Sequence, residues 1–151
     1  MRQKHLTYSA AQTKNLGKKL AQDILKFPLK KKAIVVALKG ELGSGKTTFL
    51  QGFAKGLGIK DKILSPTFVI LKKFQIPASD FQHFYHIDCY RIKKPEEILT
   101  LGFKEIISNP QNIITIEWAE KVNKILPPES IILDFKLKGE KEREIIIKFI
   151  F

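Results

Sequence analysis

Six apolar residues in a row, Ala33-Ile34-Val35-Val36-Ala37-Leu38, have the pattern of a strand buried on both faces. After a short polar stretch come Phe49, Leu50, Phe53, Ala54 and Leu57, whose spacing predicts a helix that Gly56 and Gly58 can stop. Upstream, Ser9-Ala10-Ala11-Gln12 fits a capping box. The helix it starts has an apolar stripe of Leu16, Leu20, Ile24 and Phe27, with Lys14, Lys18 and Lys19 off the stripe and Pro28 beyond its end. Downstream the pattern predicts a loop over 61–66, a strand over 68–71, a break over 75–80 and an aromatic-rich returning strand over 81–88, antiparallel to the first. Pro95, Glu96 and Glu97 begin a short helix through Leu101, stopped by Gly102. Asn112 to Glu117 reads as a central strand, 121–126 as one helical turn, and 131–137 and 144–151 as strands joined by a turn at Gly139.

The stretch between the first strand and its helix changes the picture most. Gly40-Glu41-Leu42-Gly43-Ser44-Gly45-Lys46-Thr47 fits G-x-x-x-x-G-K-[ST], the phosphate loop. Glycines let consecutive backbone N–H groups turn toward phosphate oxygens, and the helix start adds a positive end. Lys46 offers a movable cation, and Thr47 an oxygen for Mg²⁺. Gly43, Ser44, Gly45, Lys46, Thr47 and Thr48 are therefore the candidate phosphate binders. With strand and helix in place, the expected fold is α/β: a P-loop NTPase-like three-layer arrangement with a mixed sheet, parallel in its centre, with antiparallel hairpins at both sides. A nucleotide is expected at the carboxyl ends of the central strands.

Phosphate binding becomes hydrolysis only if carboxylates are supplied. Glu117, the acid that ends Ile113-Ile114-Thr115-Ile116, stands where a Walker-B residue stands, and Glu120 follows three residues on. Asp88, in His86-Ile87-Asp88-Cys89-Tyr90-Arg91, ends the aromatic strand; beside a triphosphate a carboxylate implies metal or base work, and otherwise an ion pair with Arg91 or a lysine. A metal site of His83, His86 and Asp88 is not expected, because residue 83 falls on the opposite strand face. Thr67, in Ser65-Pro66-Thr67-Phe68, could report a γ-phosphate or simply begin a strand after a proline turn. Thr13 could cap its helix or face a nucleotide, and Arg91 and Arg143 are candidate charge stabilisers.

Length and composition set bounds. A chain of 151 residues, 44% hydrophobic, is expected to form a single domain over 1–151. Its longest apolar runs are too short to span a membrane, and the basic N-terminus leads into no signal-peptide apolar region, so a cytoplasmic location is expected. Cys89 is the sole cysteine and cannot form an internal disulfide. Twenty-seven Lys and Arg against fifteen Asp and Glu give +12, which suits either scattered solvated lysines or a surface facing tRNA or an acidic partner.

Taken in order, the motifs at 40–49, 65–68, 86–91 and Glu117-Trp118-Ala119-Glu120 resemble the TsaE (YjeE) ATPases of tRNA threonylcarbamoyladenosine synthesis, over nearly the whole chain from Thr13 to Arg143. The resemblance implies that Thr47 and Glu117 share Mg²⁺, that the 65–68 loop is switch-like, and that Asp88 is needed for activity. It also implies that Thr13 and Arg143 lie near the nucleotide. It further implies an ATPase, slow without partners, that works with TsaB-like and TsaD-like proteins, the latter transferring threonylcarbamoyl to adenosine of tRNA. Contact with tRNA, indirect or direct, is left open. The alternatives are a small-molecule kinase or a non-enzymatic basic RNA-binding protein. A kinase needs a lid carrying arginines, but the chain has only Arg2, Arg91 and Arg143. A GTPase needs N-K-x-D, and Asn123-Lys124-Ile125-Leu126 lacks the acid.

Overall fold

The computed structural model describes residues 1–63 and 70–149. Its strands are β1 (Arg2–Thr7), β2 (Ile34–Gly40), β3 (Leu71–Gln75), β4 (His83–Asp88), β5 (Asn112–Glu117), β6 (Ile131–Leu137) and β7 (Arg143–Lys148). Its helices are α1 (Ala10–Leu25), α2 (Lys46–Gly56), α3 (Glu96–Leu99) and α4 (Phe103–Ser108), with a 3₁₀ segment over Ala119–Ile125. The strands form one seven-stranded sheet in the order β1-β7-β6-β2-β5-β4-β3. The central pairs β6·β2, β2·β5 and β5·β4 are parallel, while β1·β7, β7·β6 and β4·β3 are antiparallel. The expected mixed sheet, parallel in its middle and antiparallel at both sides, is what forms.

Alternation along β2 builds the two cores. Ile34, Val36 and Leu38 pack with Leu20, Ile24, Phe49 and Phe53 of α1 and α2. Ala33, Val35 and Ala37 pack with Ile98, Phe103 and Val122 on the other face. An apolar run without polar interruption is thus a strand covered on both sides, which makes three layers.

Helices α1 and α2 touch through glycine. A Cβ on Gly17 would run into the Phe49 carbonyl, and one on Gly52 into the Lys14 backbone. This close crossing sets the depth at which the start of α1 lies beside the start of α2. Gly52→Val should therefore destabilise by about 3 kcal/mol through backbone displacement, read as a lowered denaturant midpoint with unchanged slope. A wild-type midpoint would show that the crossing yields freely.

Five elements depart from the sequence expectation. β1 was not expected, because it is mostly exposed and basic and exists through ladder bonds to β7 rather than through an apolar face. The strand expected over 68–71 begins at Leu71 and continues to Gln75; residues 68 and 69 lie outside the described residues. The strand expected from 81 starts at His83, because Gln82 and His83 first bond to the Gln111 carbonyl. Gly102 stops one helix and, at φ 83°, also caps the start of α4, which periodicity did not announce. The last strand ends at Lys148 in the described chain, with 150 and 151 outside it.

Candidate functional site

Topology brings the candidate residues to one edge of the sheet. Parallel pairing sets Leu38 beside Glu117 and Glu117 beside Asp88, so β2, β5 and β4 end abreast. β7 runs the other way and presents its first residue, Arg143, there, in register with Thr7 of β1. At this edge β2 turns into the glycine-rich loop. Gly40 takes φ 144° and packs so closely that a Cβ would lie 2.6 Å from the Phe135 carbonyl oxygen. Gly45, at φ 102°, caps α2 in a left-handed conformation that side chains disfavour. The starts of both helices border the resulting cleft of about 470 Å³, α1 through Ser9, Ala10 and Thr13 and α2 through Lys46, Thr47 and Thr48. Unpaired N–H groups and aligned peptide dipoles make such ends favourable to anions.

Lys46 is folded back on its own loop. Its ammonium donates to the Gly40 carbonyl at 2.5 Å and the Glu41 carbonyl at 2.9 Å, and it lies 4.1 Å from the centre of the Trp118 ring. Burial holds its pKa below the usual lysine value, partly opposed by Glu120, Glu117, Asp88 and Glu41. Across the cleft, the Thr47 hydroxyl donates to Glu117 Oε1 at 3.0 Å. The other Glu117 oxygen accepts from His86 Nε2 at 2.8 Å, and this carboxylate is only 2% exposed. Glu120 also belongs to the site, accepting the Gly40 N–H at 3.0 Å.

Asp88 lies behind Glu117. Its Oδ1 accepts the Tyr90 N–H at 3.0 Å, while its buried Oδ2 has no hydrogen-bond partner among the described residues. Burial, offset in part by the Tyr90 bond and reinforced by Glu117, raises its pKa above the ordinary aspartate value. For an acid raised on folding, the charged form is penalised in the native state. The penalty is absent below the unfolded pKa, grows as pH rises through the interval up to the folded pKa, and stays above it. Asp88→Asn should thus be more stable than wild type at neutral pH, by on the order of 1 kcal/mol. The gain should vanish below the carboxylate range, as denaturation midpoints at the two pH values would reveal.

Of the residues singled out from sequence, Thr13, Gly43, Ser44, Gly45, Lys46, Thr47, Thr48, Glu117 and Arg143 all line the one cleft. Thr13 also caps locally: its hydroxyl pairs with that of Thr7 at 2.7 Å and reaches the Ser9 carbonyl at 3.3 Å. The Arg143 guanidinium donates to hairpin carbonyls of Glu140 and Glu142, each at 3.2 Å. Asp88 stands beside the cleft without lining it, and Arg91 is exposed. Thr67 and the 65–68 loop lie outside the described residues. Among the described residues no group of three or more His, Cys, Asp or Glu side chains is placed to hold a metal ion. Sequence reading missed the roles of His86 and Trp118. The parity that puts residues 86 and 88 on one face was a signal for His86, but Trp118 depends on a left-handed φ of 58° that nothing in the sequence foretells.

Fold and site together define a three-layer α/β protein with a glycine-rich, anion-accepting loop at the carboxyl edge of a mixed sheet. The family described as "Threonylcarbamoyl adenosine biosynthesis protein TsaE" matches residues 7–145. The chain belongs to the TsaE family, and with it to tRNA threonylcarbamoyladenosine biosynthesis. It is 38% identical over 145 residues to the tRNA threonylcarbamoyladenosine biosynthesis protein TsaE of Rickettsia typhi, covering 95% of this chain and 93% of that one. Against the protein of the same name from Bacillus subtilis it is 40% identical over 111 residues, covering 74% of this chain and 66% of the relative. The crystal structure of Bacillus subtilis YdiB superposes with a TM-score of 0.77 at 32% identity, over 100% of this chain and 87% of that one. No helix among the described residues is long and apolar enough to cross a membrane.

Proposed function

We propose that this chain is a Mg²⁺-dependent ATPase, slow by itself, that acts in the cytoplasm on a complex of TsaB-like and TsaD-like proteins transferring threonylcarbamoyl to adenosine of tRNA. The observation that carries the ATPase reading is the Thr47–Glu117 pair at 3.0 Å across the mouth of the glycine-rich loop. A hydroxyl and a carboxylate facing one another are hard oxygen donors, the kind Mg²⁺ takes, and they fit such an ion between loop and strand. Thr47 and Glu117 would hold it, and when bound it neutralises charge on the β- and γ-phosphates.

Each remaining step belongs to the chain's own groups. Loop N–H groups and the two helix starts bind the phosphates, while Lys46 exchanges its loop carbonyls for phosphate oxygens. His86 orients the Glu117 carboxylate. Asp88, beside the cleft, with its Oδ2 lacking a hydrogen-bond partner among the described residues and its pKa raised by burial, would be the group that orients a water and accepts its proton. Arg143 and Thr13 border the space left for the rest of the nucleotide.

The test mixes the chain with TsaB and TsaD homologues from the same organism, with and without ATP. A complex that forms with ATP, together with a rise in hydrolysis, is the expected result. Thermal unfolding of the chain alone supplies a second check: at a hundredfold excess over Kd, ATP with Mg²⁺ should stabilise by about 2.7 kcal/mol. An unfolding temperature indifferent to millimolar Mg²⁺-ATP would refute the proposal.

A further inference from the structure

A second concavity, of about 650 Å³, lies between α1 and the far end of α2, lined by Lys14, Lys55, Lys60 and Lys62 over a floor of Ile59 and Ile63. We propose that it is a docking surface for the phosphate backbone of RNA, held without regard to base sequence. This goes beyond the ATPase reading and does not rest on it.

The helix crossing makes the groove. Gly52 seats the Lys14 backbone directly on α2, so that the Lys14 and Lys55 side chains border one concavity. Gly58, at φ 84°, then turns the chain so that Ile59 and Ile63 are buried while Lys60 and Lys62 stand out. Among the described residues Asp61 is the one acid on the lining. Three lysines elsewhere are ion-paired, Lys4 and Lys138 with Glu144 and Lys148 with Asp134. None of the four groove ammoniums has a carboxylate within ion-pair distance among the described residues. Four lysines beside a single acid give the concavity a positive local field that the overall +12 reinforces.

The lining chooses between anionic partners. Protein interfaces are depleted in lysine and draw on aromatic and arginine anchors, and carboxylates are best met by the arginine fork. Among the described residues the groove has neither. Lysine serves phosphate as a point charge, and among the described residues no ring on the lining offers a surface on which a base could stack. The lining thus favours contact with the backbone. Thr13 lines the cleft at the glycine-rich loop and its neighbour Lys14 lines the groove, so the two concavities adjoin across the first turns of α1.

Fluorescence anisotropy of a labelled single-stranded RNA of mixed sequence, titrated with the full chain without nucleotide over a salt series, tests the proposal. Four lysine–phosphate contacts should give a plot of log K against log salt with a slope of about −3. Lys55→Gln with Lys60→Gln should lose about half of that slope and about tenfold in affinity at low salt. Lys31→Gln with Lys104→Gln removes the same charge elsewhere and should keep the slope, with thermal unfolding verifying that both doubles are folded. Equal losses in the two doubles would overturn the groove in favour of a diffuse field. Absence of salt-dependent RNA binding by the wild type would overturn it as well. So would tighter binding of poly-L-glutamate than of RNA at matched salt, lost in the groove double, which would assign the groove to an acidic protein.

Discussion

Lys46→Ala is expected to lower ATP hydrolysis by about 10²- to 10³-fold, the usual cost of removing one donor aimed at developing charge in a water-poor site. Lys46 bridges the Gly40 and Glu41 carbonyls of its own loop. Its loss removes the lysine that stands between the loop and the Trp118 ring, leaving Lys141 at the hairpin side of the cleft. The fold should survive, because the cation is desolvated where it stands and the loop shape is set by glycine backbone and by the packing of Gly40 on Phe135. Single-turnover hydrolysis and a denaturant midpoint, measured on the same sample, separate the two effects. Trp118 is the sole tryptophan, so its emission gives a further readout of whether the ammonium has left its ring. Near-wild-type turnover in the variant would remove Lys46 from the chemistry.

Glu117→Gln should have the second largest effect, and one of a different kind. The amide oxygen can still accept the Thr47 hydroxyl, but the negative charge is gone, and the amide nitrogen cannot accept from His86. The Mg²⁺ concentration needed for half-maximal hydrolysis should rise by more than about tenfold, with turnover falling even at saturating metal. Nucleotide binding without metal should change little, since loop and lysine are intact. Stability should not fall greatly, because one of two neighbouring buried carboxylates has been neutralised. A Mg²⁺ titration that superposes on the wild type would exclude Glu117 as a metal-holding residue.

Legibility followed physical cause. Strand β2, the glycine-rich loop and α2 were readable because each rests on a local signal: an unbroken apolar run, glycines where φ is positive, and helical spacing after Lys46. Glu117 was readable because an apolar strand ending in an acid carries its own explanation. Ser9 caps α1 as its sequence foretells, accepting the Gln12 N–H at 3.1 Å. By contrast β1 is held by its neighbour's ladder, and a half-exposed basic strand has no pattern of its own to read. The shift of β3 to Leu71–Gln75 has the same origin, since its register is set by pairing with β4.

The sequence by itself determined that the chain is α/β, where its central strands and phosphate-type loop lie, and which hydroxyls and carboxylates could serve that loop. Only the tertiary structure decided which of them meet: that Thr47 and His86 take opposite oxygens of Glu117, that Glu120 joins the loop, and that Trp118 lies against Lys46. It likewise brought Lys14 beside Lys55, Lys60 and Lys62 around one groove. Backbone preference and hydrophobic period act over a few residues and so are written locally. Convergence of side chains 70 residues apart, as in Thr47 and Glu117, is set by strand order and helix crossing, which arise when the whole core packs.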